Sequence, residues 1–163
     1  MGQTQLERQD VFKLPKMSDK EVRDLLESQR ICRMAFNDNP QPYIIPLDYV
    51  YINGRLYFHF ADYGIKLELY RKSPYVSVEI DSYNADITSY RSITLMGKLS
   101  LVTDPEERES AARALLNSVD RRGGSGNVAA RHGFTGMDLK TLSSGDSVLL
   151  RLDVTGSIGL KSP

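Results

Sequence analysis

The chain has 163 residues, of which 40% are hydrophobic and 26% charged, the proportions of one soluble globular domain. Its 21 Lys and Arg are matched by 21 Asp and Glu, and the halves divided at residue 81 are each nearly neutral, so charge draws no polyanion such as nucleic acid. No apolar run approaches the roughly 18 residues of a membrane span and Met1–Gln5 lacks the basic-then-apolar order of a secretory leader, so a cytoplasmic location is expected.

Residues 1–17 are polar with scattered apolar positions and read as an extended arm ahead of a single domain over 18–163. Ser18-Asp19-Lys20-Glu21 has the form of a capping box, and Val22, Leu25 and Leu26 then make one apolar stripe, which predicts a helix ending near Gln29. Strands are predicted at Ile31–Phe36 and, after a turn at Asn37–Pro40, at Pro42–Ile52. Asn53-Gly54 is a two-residue hairpin signal, because both central residues of a type I′ turn need positive φ, and its partner strand runs from Arg55 to Ala61. A short helix follows over Ile65–Lys72, stopped by Ser73-Pro74 ahead of a strand at Tyr75–Ile80. Asp81–Ser89 reads as loop, and Tyr90–Val102 as a long strand with Gly97 as a bulge or bend. Thr103-Asp104-Pro105-Glu106 is a second capping box, opening a helix to Val119. Arg121–Gly126 has the composition of a loop or lid, and Ser147–Val154 alternates as a last strand. This order, without regular βα alternation, predicts a mainly β protein with some α: a small antiparallel barrel with helices outside.

A two-residue turn at Asn53-Gly54 fixes the register and sets Ile52 opposite Arg55, Val50 opposite Tyr57 and Asp48 opposite His59. Leu47, Tyr49 and Tyr51 with Leu56, Phe58 and Phe60 then form the core face. The opposite face holds Pro46, Asp48 and Val50 beside Tyr57, His59 and Ala61, a mixture that points to cover by a ligand or a second subunit. Asp48 either orients the His59 imidazole or makes a half-exposed ion pair of little consequence.

The residue types leave few kinds of chemistry open. A lone cysteine, Cys32, cannot make an internal disulfide, and His59 and His132 are the only histidines, so no zinc set is expected. The P-loop, dinucleotide-binding and nucleophile-elbow patterns are absent. Asp62-Tyr63-Gly64-Ile65-Lys66 offers a glycine turn, a helix N-terminus and a lysine, which either outlines a phosphate site or leaves Lys66 to pair with a carboxylate. Tyr90-Arg91-Ser92 opens a strand with groups that suit a phosphate or ring contact or are surface residues. Cys32 reads as a buried, inert thiol, and His132 as a loop residue with an option on a ligand.

Several stretches in series resemble the FMN-binding split-barrel superfamily, which includes pyridoxamine 5′-phosphate oxidase, and most of all its nitroimidazole-resistance flavoprotein branch. They are Pro42-Tyr43-Ile44-Ile45-Pro46-Leu47, Asn53-Gly54-Arg55-Leu56-Tyr57-Phe58-His59, Gly64-Ile65-Lys66-Leu67-Glu68-Leu69, Ser73-Pro74-Tyr75-Val76-Ser77-Val78-Glu79 and Tyr90-Arg91-Ser92-Ile93 through Gly97-Lys98. The resemblance implies a split barrel forming a homodimer, with FMN at the subunit interface. Carried over by position, it implies cofactor contacts from Tyr43, Ile44, Ile45, Pro46, Leu47 and Asp48 along the ring. Phe58 and His59 would lie near the ribityl-phosphate end, Ile65 and Lys66 at the phosphate, and Ser92 would approach from a neighbouring strand. It makes His59 the candidate active-site residue. Two departures stand against vitamin B6 oxidation: Ile65 precedes Lys66 in place of an arginine-containing phosphate set, and the chain has no tryptophan. The expected function is an FMN-dependent oxidoreductase acting on a small nitroaromatic or quinone-like compound. The alternatives are a non-catalytic flavin-binding or redox-sensing module, or a split barrel that holds haem or a deazaflavin.

Overall fold

The computed structural model describes residues 13–120 and 138–163; the expectations for residues 1–12, for Arg121–Gly126 and for His132 lie outside the described residues. In chain order the elements are α1 (Asp19–Ser28), β1 (Ile31–Phe36), β2 (Tyr43–Asp48), β3 (Val50–Ile52), β4 (Arg55–Phe60), α2 (Ile65–Lys72), β5 (Tyr75–Tyr83), β6 (Tyr90–Leu101), α3 (Pro105–Asp120), α4 (Leu139–Ser143) and β7 (Val148–Lys161). The strands form one antiparallel sheet in the order β2-β1-β5-β6-β7-β4-β3, curled into a half-barrel. Among the described residues no helix is long and apolar enough to cross a membrane.

The capping box at α1 forms in both directions. The Ser18 N–H donates to the Glu21 carboxylate at 2.8 Å and the Glu21 N–H to the Ser18 hydroxyl at 3.3 Å, and the stripe behind it buries Leu25 and Leu26. Asn53 (φ 51°) and Gly54 (φ 75°) make the expected turn, and β3 pairs β4 in the register Val50↔Tyr57, Tyr51↔Leu56, Ile52↔Arg55.

The expected single strand over Pro42–Ile52 is two. It breaks at Tyr49, whose N–H donates to the Arg30 carbonyl at 3.1 Å and whose buried hydroxyl donates to the Leu26 carbonyl at 2.9 Å. Before the break β2 pairs with β1, ending at Ile31↔Asp48; after it β3 pairs with β4. The cross-strand pairing of Asp48 with His59 is therefore not formed, and His59 instead lies opposite Leu149. The same break shapes the molecule. β2 and β3 are the two edges of the sheet yet are joined by one residue, so the sheet must curl until its edges meet at Tyr49. At the far end, among the described residues no strand pairing joins the Tyr43 end of β2 to the Phe60 end of β4, and the half-barrel is open there.

Inside the curl Cys32, Met34 and Phe36 of β1 pack with Leu56, Phe58 and Phe60 of β4 and with Val78, Ile93 and Leu150. The reverse face of the β3–β4 ribbon was expected to lie under a ligand or second subunit. At Val50 and Tyr57 it is covered by the chain's own helices, through Ala111, Ala112 and Leu115 of α3 and Leu142 of α4. Two alanines in succession let α3 approach the sheet closely, and burying Leu142 and Leu149 contributes about 1.5–3 kcal/mol for each side chain.

Other differences are local. The cap of α3 is Asp104, one residue later than expected, its carboxylate accepting the Glu107 N–H at 2.8 Å with Pro105 in the first helical position. The strand β5 continues to Tyr83 and β7 to Lys161, through two glycines that break the apolar alternation. The helix α4, capped by Asp138, is too short to show a period. Gly97 does mark a bulge: the β6–β7 register shifts between Met96 and Gly97, and a Cβ at Gly97 would lie 2.4 Å from the Asp153 carbonyl oxygen. The last part of the N-terminal arm lies along β7, with the Lys161 N–H donating to the Pro15 carbonyl and the Met17 N–H to the Gly159 carbonyl.

Candidate functional site

Of the sequence-predicted residues, the open end of the barrel brings Tyr43 and Lys66 together around Phe36 and Phe60, whereas Asp48, opposite Ile31, lies at the other end of β2 beside the Tyr49 bend. Phe60, at the end of β4, is buried with its ring 6.1 Å from that of Phe36, which in turn lies 6.2 Å from the Tyr43 ring. The chain then turns through Gly64, at φ 95°, into α2. That turn swings Lys66 back over the barrel mouth, placing its Nζ 5.2 Å from the centre of the Phe60 ring. The lysine is half-buried, and desolvation pushes its ammonium below the usual lysine value. Among the described residues no carboxylate lies within 4 Å of it, so of the two sequence readings the paired lysine is not the one formed.

The first turn of α2 adds donors. The Gly64 carbonyl takes the N–H groups of Leu67 and Glu68 at 3.1 and 3.2 Å, so the donors left at the helix start are those of Ile65 and Lys66, and among the described residues no side chain caps the turn. A cation seated on an aromatic ring beside an uncapped helix start suits a phosphate-sized anion. Ile65, the residue before the lysine, is exposed.

The strand β2 alternates: Tyr43, Ile45 and Leu47 are half-buried and pack on the core, while Ile44, Pro46 and Asp48 point outward, Ile44 being 61% exposed. Among the described residues its backbone edge away from β1 pairs with no strand, and Pro46 on an edge strand costs the ladder nothing. Unpaired backbone groups in a row can serve the heteroatoms of a planar ligand. Phe58 is fully buried in the core, so any contact it makes with a ligand comes through its backbone. His59 is half-buried, on the outer face of β4 next to Phe60.

Ser92 is not brought to this group. It sits on β6, beyond β1 and β5 from β2 and at the Ile31 end of the sheet, whereas Lys66 is at the Phe36 end. Its hydroxyl donates to Glu79 at 3.0 Å, in a cluster where Arg33 bridges Glu79 and Asp81 at 3.1 Å each. Cys32 is fully buried, and burial pushes its thiol up to about 12, which makes it inert as a nucleophile near neutral pH.

Sequence reasoning missed two groups. Phe60 is the seat of Lys66, and alternation marked it only as core. Glu107 was one more acid on a helix. In the fold it accepts from the Tyr57 hydroxyl at 2.7 Å, from Arg55 at 3.2 Å and from Arg151 at 3.0 Å, tying α3 to the sheet. Burial alone would raise the Glu107 carboxyl, but the Tyr57 and Arg151 hydrogen bonds hold it below the usual carboxylate range.

Residues 18–152 match the family described as pyridoxamine 5′-phosphate oxidase. An uncharacterised protein of Rhizobium meliloti is 30% identical over 82 residues, 50% of this chain and 53% of that protein, so the match spans about half of each. Among solved structures, a FAD-binding protein of Mesorhizobium loti is similar with a TM-score of 0.61 at 22% identity, over 93% of this chain and 100% of that one. A candidate 5-nitroimidazole antibiotic resistance protein of Bacteroides thetaiotaomicron is similar with a TM-score of 0.65 at 17% identity, over 91% and 87%. At these identities the structures establish a shared split-barrel fold.

Proposed function

The chain belongs to the pyridoxamine 5′-phosphate oxidase family, and from that premise we propose that it binds flavin as FMN at the open end of its barrel and is an oxidoreductase of small nitroaromatic or quinone-like compounds. The observation that carries this reading is the Lys66 ammonium, half-buried over Phe60 with no carboxylate within reach among the described residues. Partial desolvation of a cation without a counter-ion is unfavourable, and a phosphate would offset it. Lys66 would hold the phosphate together with the Ile65 and Lys66 N–H groups at the start of α2, and the edge of β2 away from β1, from Tyr43 to Asp48, would serve the ring. Bound there, a flavin supplies the electron-transfer chemistry. His59 would hold or donate a proton to the substrate. Ile44 and Pro46, apolar and facing outward, would exclude water from that side. The similarity in fold to a protein described as FAD-binding supports a flavin in this barrel.

Two copies are part of the proposal. The outer face of β2, β1 and β5 exposes Ile44, Ile31 and Tyr75, and a second copy laid on it would cover apolar surface and close the flavin between subunits.

Lys66→Ala is expected to weaken FMN binding more than about tenfold in a fluorescence titration, a charge-assisted contact being worth about 1.5–3 kcal/mol. An unchanged dissociation constant overturns the phosphate placement. The visible spectrum of the purified protein tests the cofactor class: flavin bands support the reading, whereas a Soret band replaces it with haem. Reduction of the flavin by NAD(P)H and reoxidation by nitroaromatic or quinone acceptors separates an enzyme from a binding module.

A further inference from the structure

The hairpin between β5 and β6 ends in a stiff tip that carries an apolar side chain outward. The Asn84 N–H donates to the Ser89 carbonyl and the Ile87 N–H to the Asn84 carbonyl, both at 3.0 Å, while the Ser89 N–H donates to Asn84 Oδ1 at 2.9 Å. Asp86 accepts from the Thr88 N–H at 3.2 Å and from its hydroxyl at 2.8 Å. These bonds hold Ile87 at φ 60°, a left-handed conformation that is costly for a β-branched residue, and leave it 63% exposed. An isoleucine strained in order to point at water contributes nothing to this chain's own core.

Beside the tip, between it and α1, lies a cleft of about 350 Å³ whose walls include Leu25, Tyr83, Tyr90 and Arg91. Tyr83 and Tyr90 face each other across the ladder. Among the described residues no carboxylate lies within 4 Å of the Arg91 guanidinium. One surface therefore presents an apolar knob with an acid at its side, Ile87 with Asp86, and a cleft of mixed lining, with two tyrosines among Ser28, Ser82, Asn84 and Ser89, and a base at its side. A two-fold contact needs a patch complementary to itself, and this pair of features meets that condition in charge, Asp86 against Arg91.

We propose that the tip docks on a second copy of this chain, Ile87 of each copy seating in the cleft of the other with Asp86 against Arg91. The chain's zero net charge puts no long-range repulsion in the way of the encounter. From the functional reading this takes only that two copies associate; it requires no flavin.

Sedimentation equilibrium of the full chain over micromolar concentrations tests it, with flavin content read separately by absorbance. Arg91→Glu and Asp86→Lys are each expected to weaken association at least about tenfold, and the double variant Asp86→Arg, Arg91→Asp to recover most of the loss. Ile87→Gly relieves the backbone strain, so it is expected to keep or raise the melting temperature while weakening association by a similar factor. A purely structural tip residue would not separate those two readouts. If the wild type associates and all the variants associate equally well, tip docking is overturned and the two-copy reading stands. A wild type that is monomeric throughout overturns both, whatever its flavin content.

Discussion

An ammonium held over the Phe60 ring gains about 0.5–2 kcal/mol from the ring face and loses hydration on that side. That loss of hydration lowers the ammonium's pKa and raises the worth of any anion that reaches it, which is why one side chain carries the binding prediction. Glu21 shows the opposite economy, a carboxylate with every partner in place. It accepts from Lys161 Nζ at 2.7 Å and from the Ser18 N–H at 2.8 Å, and these bonds, that of Lys161 first, hold it down to about 2 from the ordinary 4.5. The folded value lies below the unfolded one, so the contribution is complete above about pH 4.5 and fades as pH falls towards 2. Glu21→Gln is expected to lower the urea midpoint at pH 7, and the gap to wild type is expected to close across that acid window. A gap that stays constant with pH would mean the charge on Glu21 is immaterial. The capping role of Glu21 was legible in Ser18-x-x-Glu21; its bond to Lys161 was not, because 140 residues separate the partners.

Among the elements, α3 depends most on partners that its own sequence does not announce. Glu107 faces the sheet, and its neighbour Arg108, only 7% exposed, donates to the carbonyls of Val102, Ser143, Ser144 and Ser147. A buried guanidinium saturated by carbonyls joins α3, the C-terminal end of α4 and the start of β7. Arg108→Ala is expected to destabilise the protein by about 3 kcal/mol in urea unfolding, because several buried acceptors lose their donor. Amide exchange in residues 139–147 is expected to accelerate as well, and Arg108→Lys to recover part of the loss. A change below about 0.5 kcal/mol would show that water replaces the guanidinium at those carbonyls. Helical period and an N-terminal cap announced α3 itself. Whether Arg108 faces solvent or a loop was not readable, since its acceptors at Ser143, Ser144 and Ser147 lie 35 to 39 residues away in the chain.

For the molecule as a whole, one bend decides the architecture. Tyr49 ends the pairing of β2 with β1 and begins that of β3 with β4, and its hydroxyl ties the bend to the last turn of α1 through Leu26. Tyr49→Phe keeps the ring and removes the bond, and is expected to lower stability by about 1 kcal/mol or somewhat more, leaving the Leu26 carbonyl short of a donor. A denaturant midpoint unchanged within error would show the closure to be secured by packing alone. The open end opposite this bend is where Tyr43, Phe60 and Lys66 converge, so closure at one end of the barrel and a candidate site at the other follow from the same break in one strand.

What the amino-acid order settled by itself is local. The capping box at Ser18, the Asn53-Gly54 turn with its three-pair register, the start and stop of α2 and the bulge at Gly97 each depend on contacts a few residues apart or on a backbone demand of one residue. The tertiary structure alone decided that Asp48 lies opposite Ile31 and His59 opposite Leu149, that α3 covers Val50 and Tyr57, and that Lys66 rests on Phe60. Periodicity states which face of a strand is apolar. It says nothing of which strand comes to lie beside it, because that choice is made by burial summed over the whole sheet rather than by any pair of neighbours.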